Sequence, residues 1–339
     1  MTAFARYFGG KNGEWQGRVA LLLPEDDSKT TFIDCCFGMG NVGRGLAYGM
    51  TQFTNIIGFE KEPALFQLHM VVKNRVNELI DRIPSVENTE EYFLHCQELV
   101  KEYNSNPSGN YDQVEIALAV LVTIRLSHNL TRSNYRGRFY EKYPINTIKY
   151  SQKKREYNAI IAKFYIQQPV ELMNMSRQLK SIELHNEDFV DKLEELATPK
   201  SFIFIDPPYL PEKRGRSTKK PADKLVNAGY MCEMSRDDHV KIISKLIELK
   251  DRGAYFMVCS NFEVGENGEI IGLAEDPYTR LLQHGYKMVV VQKKYAVQER
   301  PVSQTKREKV EVVYINYTPR VSPMYYEIYD YQDVVGKRI

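Results

Sequence analysis

Short β-rich runs alternate with helix-like segments in both outer parts of the chain, and this alternation constrains the fold more than any other feature. Runs rich in Val, Ile and aromatic residues, bounded by polar or glycine-containing segments, predict buried strands. The runs that fit this description are TFIDCC (31–36), NIIGFE (55–60), IELHN (182–186), SFIFID (201–206), YFMVCS (255–260), KMVVVQ (287–292) and EVVYINY (311–317).

Helical periodicity fills two of the intervals between these runs, at residues 62–80 and 235–249. Ser235 is the expected N-cap of the second helix, because acidic residues follow it in the first turn. The inner face of that helix is expected to carry Val240, Ile243, Leu246 and Ile247. Strands that alternate with helices predict an α/β fold with a doubly wound, mainly parallel sheet.

The middle of the chain lacks this alternation. Residues 91–180 contain an apolar helix-like run at 115–126, and a second helix is expected at 151–164. We therefore predict an α/β domain made of residues 1–90 and 181–320, interrupted by a mostly helical insert over residues 91–180. Residues 321–339 form a C-terminal tail, which is expected to pack onto the domain.

Basic residues are concentrated in the same middle region. Residues 125–180 contain twelve Lys and Arg residues and three Asp and Glu residues, a net charge of +9, whereas the whole chain carries +2. The stretch EKRGRSTKKPADK (212–224) contains six more Lys and Arg residues. Segments of this kind either bind a polyanion such as nucleic acid or form a solvated surface, and charge alone leaves both readings open.

Composition narrows the class of protein further. Apolar residues make up 43% of the chain, which supports a sizeable core, and the sequence contains no run of 18 apolar residues. The five cysteines show no CxxC spacing and the six histidines form no HExxH motif. We expect reduced thiols, a cytoplasmic location and neither a membrane span nor a metal site.

A glycine-rich loop follows the first predicted strand. Gly38, Gly40 and Gly43 fit the pattern GxGxxG between a strand and a helix, and Glu60 ends the next predicted strand about twenty residues later. An acidic residue at that position can accept hydrogen bonds from both ribose hydroxyls. The motif predicts a Rossmann-like nucleoside pocket for a dinucleotide or for S-adenosylmethionine, and a tight turn beside a surface glutamate is the alternative.

Asp206, Pro207, Pro208 and Tyr209 follow the apolar run FIFI, where ligands of open parallel sheets bind. Proline has no N–H and a fixed φ, so this turn offers a carboxylate and a backbone carbonyl as rigid acceptors. Two acceptors beside the aromatic ring of Tyr209 suit an exocyclic amine on a stacked base. The alternative is a strand-ending turn with a capping aspartate.

These motifs, in this order, make the chain resemble the Dam-type, S-adenosylmethionine-dependent, adenine-specific DNA methyltransferases. Tyr7 replaces that family's usual Trp, and Glu60 replaces its commoner Asp. The basic segment 91–180 lies where the family carries its target-recognition module. The resemblance is carried by RYFGGK (6–11), FIDCCFGMG (32–40), IIGFEKE (56–62), IELHNEDF (182–189), CSNFE (259–263) and VEVVYINY (310–317).

The resemblance implies a site-specific methyltransferase that transfers a methyl group from S-adenosylmethionine to the exocyclic amine of an adenine. Catalysis is expected from Asp206, Pro207, Pro208 and Tyr209. The expected cofactor site comprises Tyr7, Gly10, Lys11, Asp34, Phe37, Gly38, Gly40, Glu60, Asp188, Phe189 and Asp206.

The expected substrate is double-stranded DNA, from which the target adenine must flip out. DNA contacts are expected from Lys11, Arg132, Asn134, Tyr135, Arg136, Arg138, Lys153, Lys154, Arg155, Lys213, Arg214 and Arg216. Partners would include a cognate restriction endonuclease, and a monomer or weak dimer is expected in a bacterial or phage-infected cell, at the nucleoid. The alternatives are methylation of the cytosine amine, methylation of RNA adenine and a catalytically inactive DNA-binding relative.

Overall fold

The computed structural model describes residues 19–48, 52–87, 89–125, 169–208, 234–264, 270–273, 276–296, 308–320 and 327–330. The strands in these ranges are β1 (Thr31–Asp34), β2 (Asn55–Phe59), β3 (Ile182–His185), β4 (Ser201–Ile205), β5 (Tyr255–Val264), β6 (Ile270–Ile271), β7 (Lys287–Ala296), β8 (Glu308–Ile315) and β9 (Glu327–Tyr329). Every run that was predicted as a strand contributes a strand.

The α-helices in these ranges are α1 (Asn41–Tyr48), α2 (Pro63–Asn74), α3 (Val76–Arg82), α4 (Glu90–Ser105), α5 (Gln113–Arg125), α6 (Pro169–Leu179), α7 (Phe189–Leu196) and α8 (Arg236–Leu249). The single helix predicted over residues 62–80 is two helices, because the backbone leaves the helical region at Arg75 (φ −136°, ψ 33°). Ser235 caps α8 as predicted and forms a capping box with Asp238.

One sheet contains all the described strands, in the order β3-β2-β1-β4-β5-β8-β7-β9, and β6 pairs with β5. The strands from β3 to β5 are parallel to one another. The β5–β8, β8–β7 and β7–β9 pairs are antiparallel. On one side of the sheet the strands follow one another outwards as β1, β2 and β3, and on the other side as β4 and β5. A topological switch point therefore lies between β1 and β4. The prediction of a doubly wound, mainly parallel sheet is confirmed.

Alternate residues of the central strands enter two separate hydrophobic clusters, one on each face of the sheet. Phe32 and Phe204 point into a cluster shared with α1 to α6, whereas Ile33 and Ile203 point into one shared with α7 and α8. Val240 of α8 is 36% exposed, contrary to its prediction as an inward residue. The buried side of α8 consists instead of His239, Ile242, Ile243, Leu246 and Leu249.

Helices from the predicted insert take part in the first of these clusters. In α5, Val114 and every residue from Ile116 to Ile124 are buried, so this helix is enclosed rather than amphipathic. Residues of α4 and α6 lie in the same cluster as α2 and β1. The domain boundaries at residues 90 and 181 stay a prediction, and residues 126–168 lie outside the described part of the chain. From the tail, β9 pairs with β7, so this part of the tail packs onto the domain as expected, whereas residues 321–326 and 331–339 lie outside the described part of the chain.

Candidate active site

The predicted acidic residues lie at the carboxyl ends of neighbouring parallel strands. Asp34 is the last residue of β1, Glu60 directly follows β2, Asp188 follows β3 by three residues, and Asp206 directly follows β4. The registers align Asp34 with Phe204 of β4, so these strand ends share one edge. Since the topological switch point lies between β1 and β4, this edge is where an open α/β sheet forms its binding crevice.

Asp34 is a buried carboxyl group, 2% exposed. Its Oδ2 accepts a hydrogen bond from the Gly43 N–H at 3.2 Å. Its Oδ1 is buried without a hydrogen bond of good geometry. Burial raises the pKa of Asp34 to about 7, repulsion from Asp206 adds to this, and the amides of Gly43 and Cys36 oppose it. Asp34 and Asp206 therefore influence each other electrostatically.

Cys36 lies among the same carboxylates. The pKa of its thiol is well above the usual value, because burial acts first and because the charges of Cys35, Asp206, Asp34 and Glu60 disfavour a thiolate. Asp34, Glu60 and Asp206 therefore all contribute to the negative potential at this thiol. Cys36 was missed as a site residue, since a cysteine beside a strand end carries no motif of its own.

The glycine loop turns tightly after β1. Gly38 and Gly40 have positive φ angles of 51° and 66°, which glycine adopts without strain. The Gly40 N–H donates to the Phe37 carbonyl at 2.6 Å. The loop therefore has the conformation that its sequence predicts.

The ring of Phe37 explains why glycine recurs around this loop. Phe37 is 3% exposed, and a Cβ atom at Gly40 would lie 2.4 Å from its ring. A Cβ atom at Gly58, on β2, would lie 2.5 Å from the same ring. Phe37 was predicted to bind a cofactor; in the structure its ring fills the space beneath the loop, and a direct contact with a cofactor stays a prediction.

Glu60 is held from several sides. Its N–H donates to the His185 carbonyl at 3.0 Å, and its Oε1 accepts the Glu62 N–H at 2.8 Å. The Asn186 side chain donates to the Glu60 carbonyl at 2.7 Å. Glu60 is 8% exposed, so this carboxylate has a defined position at the end of β2.

Asp188 has a structural role that its motif did not reveal. It is the N-cap of α7, where its Oδ1 accepts the Val190 N–H at 3.1 Å. Its Oδ2 forms an ion pair with Lys61 at 2.7 Å. The adjacent Phe189 is 5% exposed and packs in the second hydrophobic cluster. Binding of a cofactor by Asp188 and Phe189 stays a prediction.

The Asp-Pro-Pro turn follows β4 directly. Asp206 and Pro208 are partly exposed, whereas Pro207 is buried. Behind the turn, the buried His239 lies close to the Pro208 carbonyl, and its Nδ1 is 2.9 Å from the Tyr278 hydroxyl. The backbone of the turn therefore lies against a buried side chain, and the charge of Asp206 disfavours ionisation of Asp34.

The chemistry of these groups fits some cofactors better than others. The crevice offers carboxylate acceptors at Asp34, Glu60 and Asp206, and Lys61 at its margin is already paired with Asp188. A pyrophosphate would be repelled by such a site, whereas a cation with hydroxyl groups would be attracted. No cluster of metal-ligating side chains occurs in the ranges that the structure describes.

Among the helices in these ranges, none has the length and apolar character that a membrane span requires.

The remaining predicted site residues lie outside the described ranges, and their roles stay predictions. They are Tyr7, Gly10, Lys11, Arg132, Asn134, Tyr135, Arg136, Arg138, Lys153, Lys154, Arg155, Tyr209, Lys213, Arg214 and Arg216.

A protein-family model and a curated relative each match most of this chain. A family model described as D12 class N6 adenine-specific DNA methyltransferase matches residues 7–297. The Type II methyltransferase M.MjaIII of Methanocaldococcus jannaschii is 22% identical over 228 residues, which cover 65% of this chain and 70% of that protein. Among solved structures, the rRNA methyltransferase aviRa from Streptomyces viridochromogenes has 13% identity and a TM-score of 0.30, with 88% of this chain and 82% of that chain covered. That last likeness is too distant to support a conclusion.

Proposed function

Because this chain belongs to the D12 class of N6 adenine-specific DNA methyltransferases, we propose that its methyl donor is S-adenosylmethionine and that its target adenine is flipped out of duplex DNA into the crevice beside Asp206. The observation that carries the proposal is the Asp-Pro-Pro turn at the end of β4, placed across the switch point from Asp34 and the glycine loop.

The carboxylates account for the choice of donor. S-adenosylmethionine supplies, when bound, a methyl group on a positively charged sulfur. Glu60, whose carboxylate is held at the end of β2, would accept hydrogen bonds from the ribose hydroxyls. Asp34 and Asp206 give the crevice a negative potential that favours a cation over a pyrophosphate.

Asp206 and the proline pair account for the reaction at the amine. The exocyclic nitrogen of adenine is a poor nucleophile, because its lone pair is delocalised into the ring. The Asp206 carboxylate and a prolyl carbonyl accept the two N–H groups, which favours a pyramidal nitrogen with a localised lone pair. Orientation of this nitrogen is the main catalytic contribution, and the fixed acceptors add electrostatic stabilisation. The methylated nitrogen must then lose a proton, and the Asp206 carboxylate, unlike the prolyl carbonyl, is a base that would accept it.

The decisive experiment combines nucleoside analysis with a variant. Duplex DNA is incubated with the protein and S-adenosylmethionine, digested, and examined by mass spectrometry for N6-methyladenine. The wild-type protein is expected to form it, and Asp206→Ala to lose transfer by about 10²-fold or more while DNA retention changes little. Asp251→Ala changes an exposed residue just beyond the C-terminal end of α8 and is the control, whose rate is expected to be unchanged. N4-methylcytosine as the product, or an active Asp206→Ala variant, would refute the proposal.

Base flipping has a separate test. A duplex with 2-aminopurine at the target position is expected to become more fluorescent when the protein and a non-reactive cofactor analogue are added, because the base leaves the stack. Unchanged fluorescence on a duplex that is bound would contradict flipping. A restriction endonuclease as a partner and a monomeric or weakly dimeric state stay predictions.

A further inference from the structure

Two buried side chains that the proposed reaction does not use approach the glycine loop from inside the protein. The first is His69 on α2, whose side chain is 0% exposed. Its Nε2 lies 2.6 Å from the Gly38 carbonyl. A carbonyl only accepts, so Nε2 carries the hydrogen. Burial lowers the pKa of His69 to about 4, and the charge of Arg44 adds to this, so the ring is neutral at physiological pH.

The second side chain is Arg44 on α1, which is 5% exposed. Its Nε donates to the Met39 carbonyl at 3.2 Å, and its Nη2 donates to the Asn41 side chain at 3.0 Å. Its Nη1 donates to Gln178 Oε1, on α6, at 2.7 Å. Burial lowers the pKa of Arg44 to about 10, so the guanidinium keeps its charge at neutral pH.

His69 and Arg44 together draw two consecutive loop carbonyls, those of Gly38 and Met39, towards the interior. In a trans peptide the N–H points opposite to the C=O, so the Met39 N–H is directed away from His69. Gly38, whose carbonyl lies against His69, is also one of the two loop glycines with a positive φ. Without the two donors, two carbonyls would be buried without partners, and the loop would turn to find others.

We propose that His69 and Arg44 are positioning residues that hold the glycine loop in its cofactor-accepting conformation, and that Gln178 makes this conformation depend on the position of α6. The inference rests on the proposed use of S-adenosylmethionine. α6 lies at the C-terminal end of the basic segment predicted to recognise DNA, so a shift of α6 reaches the cofactor loop through the hydrogen bond from Arg44 to Gln178.

The test compares His69→Leu, which removes the donor, with His69→Gln, which can place an amide N–H near the Nε2 position. Calorimetric titration with S-adenosylmethionine is expected to give a dissociation constant about tenfold higher for His69→Leu, since one buried carbonyl loses its donor. His69→Gln is expected to stay within about threefold of the wild type. At saturating cofactor the turnover rate of both variants should be close to that of the wild type. Tyr286→Phe, which removes a buried donor to the Leu246 carbonyl on the other face of the sheet, is the control with unchanged affinity.

A second measurement does not require any ligand. Hydrogen–deuterium exchange of the cofactor-free protein is expected to be faster in peptides spanning residues 35–47 of His69→Leu, but not in those of Tyr286→Phe.

Wild-type-like exchange and affinity in His69→Leu would overturn the inference, as would equal losses of affinity in His69→Leu and His69→Gln. Should His69→Leu fail to fold, Gln178→Ala decides, with a raised dissociation constant for S-adenosylmethionine supporting the link to α6 and an unchanged one refuting it. If the wild-type protein does not bind S-adenosylmethionine at all, the proposed cofactor is refuted. The exchange experiment would still test whether His69 holds the loop, because it requires no ligand.

Discussion

Asp34 and Asp206 end two adjacent parallel strands, β1 and β4, and the charge of Asp206 adds to burial in raising the pKa of Asp34 to about 7. The negative charge of Asp206 thus disfavours ionisation of Asp34. The crevice at the switch point therefore holds a negative charge that a bound cation would relieve.

The pKa of Asp34 predicts a pH-dependent stability. A carboxyl group with a raised pKa in the folded protein contributes fully to stability below its unfolded pKa of 3.8, and the contribution is lost as the pH rises to about 7. Asp34→Asn removes this titration while keeping an oxygen for the Gly43 N–H. The variant should gain stability over the wild type by about 1.4 kcal/mol per pH unit across that window, measured by urea unfolding.

Asp238→Asn is a control, because the effect of Asp238 on stability should depend on pH in the opposite direction. Hydrogen bonds from Ser235 lower the pKa of Asp238 in the capping box, so its contribution is present above 3.8 and is lost as the pH falls. Its amide variant should therefore be less stable than the wild type at neutral pH and approach it in acid. A stability gap for Asp34→Asn that stays the same at every pH would contradict the assignment of a raised pKa.

Gly58→Ala is expected to destabilise the protein by about 1–3 kcal/mol, because the new Cβ would lie 2.5 Å from the Phe37 ring and 2.8 Å from Leu184. Phe37→Leu should reduce this penalty when both changes are combined, since the smaller side chain vacates part of the space. Chemical unfolding of the two single variants and the double variant measures the coupling. Purely additive losses would show that Phe37 is not the obstacle.

Variants of Asp188 can separate its role as the N-cap of α7 from a role in cofactor binding. Asp188→Ser keeps an N-cap oxygen but removes the carboxylate, so its unfolding free energy should match the wild type within about 0.5 kcal/mol. Asp188→Ala should cost about 1 kcal/mol, because the Val190 N–H loses its acceptor. Both variants should bind S-adenosylmethionine more weakly if the carboxylate contacts the cofactor. Wild-type affinity in Asp188→Ser would leave Asp188 with a capping role alone.

Asn186 should influence the cofactor through Glu60. Its side-chain amide donates to the carbonyls of Glu60 and Lys61 at 2.7 and 3.2 Å. Asn186→Ala removes both hydrogen bonds, and the dissociation constant for S-adenosylmethionine is expected to rise about three- to tenfold. Glu187→Ala, the exposed neighbouring change, is the control for calorimetric titration. Equal affinities of Asn186→Ala and the wild type would show that Glu60 keeps its position without Asn186.

The sequence by itself determined seven of the nine described strands, the order of the motifs and the family, because these depend on local patterns of apolar residues, glycine and proline. The short strands β6 and β9 were not predicted. It also identified Ser235 as an N-cap, since capping involves residues only three positions apart. The same logic placed Asp34, Glu60 and Asp206 at strand ends, where parallel strands of one sheet must present them together.

Only the tertiary structure decided which partners these residues meet. The ring of Phe37 lies against Gly58, and Arg44 reaches Gln178, 134 positions further along the chain. Residues of α4 and α5, helices that the sequence assigned to the predicted insert, join the same hydrophobic cluster as β1 and α2. Such contacts join residues that are distant in sequence, and packing selects them by shape and by the need of each buried polar group for a partner, which no local pattern records.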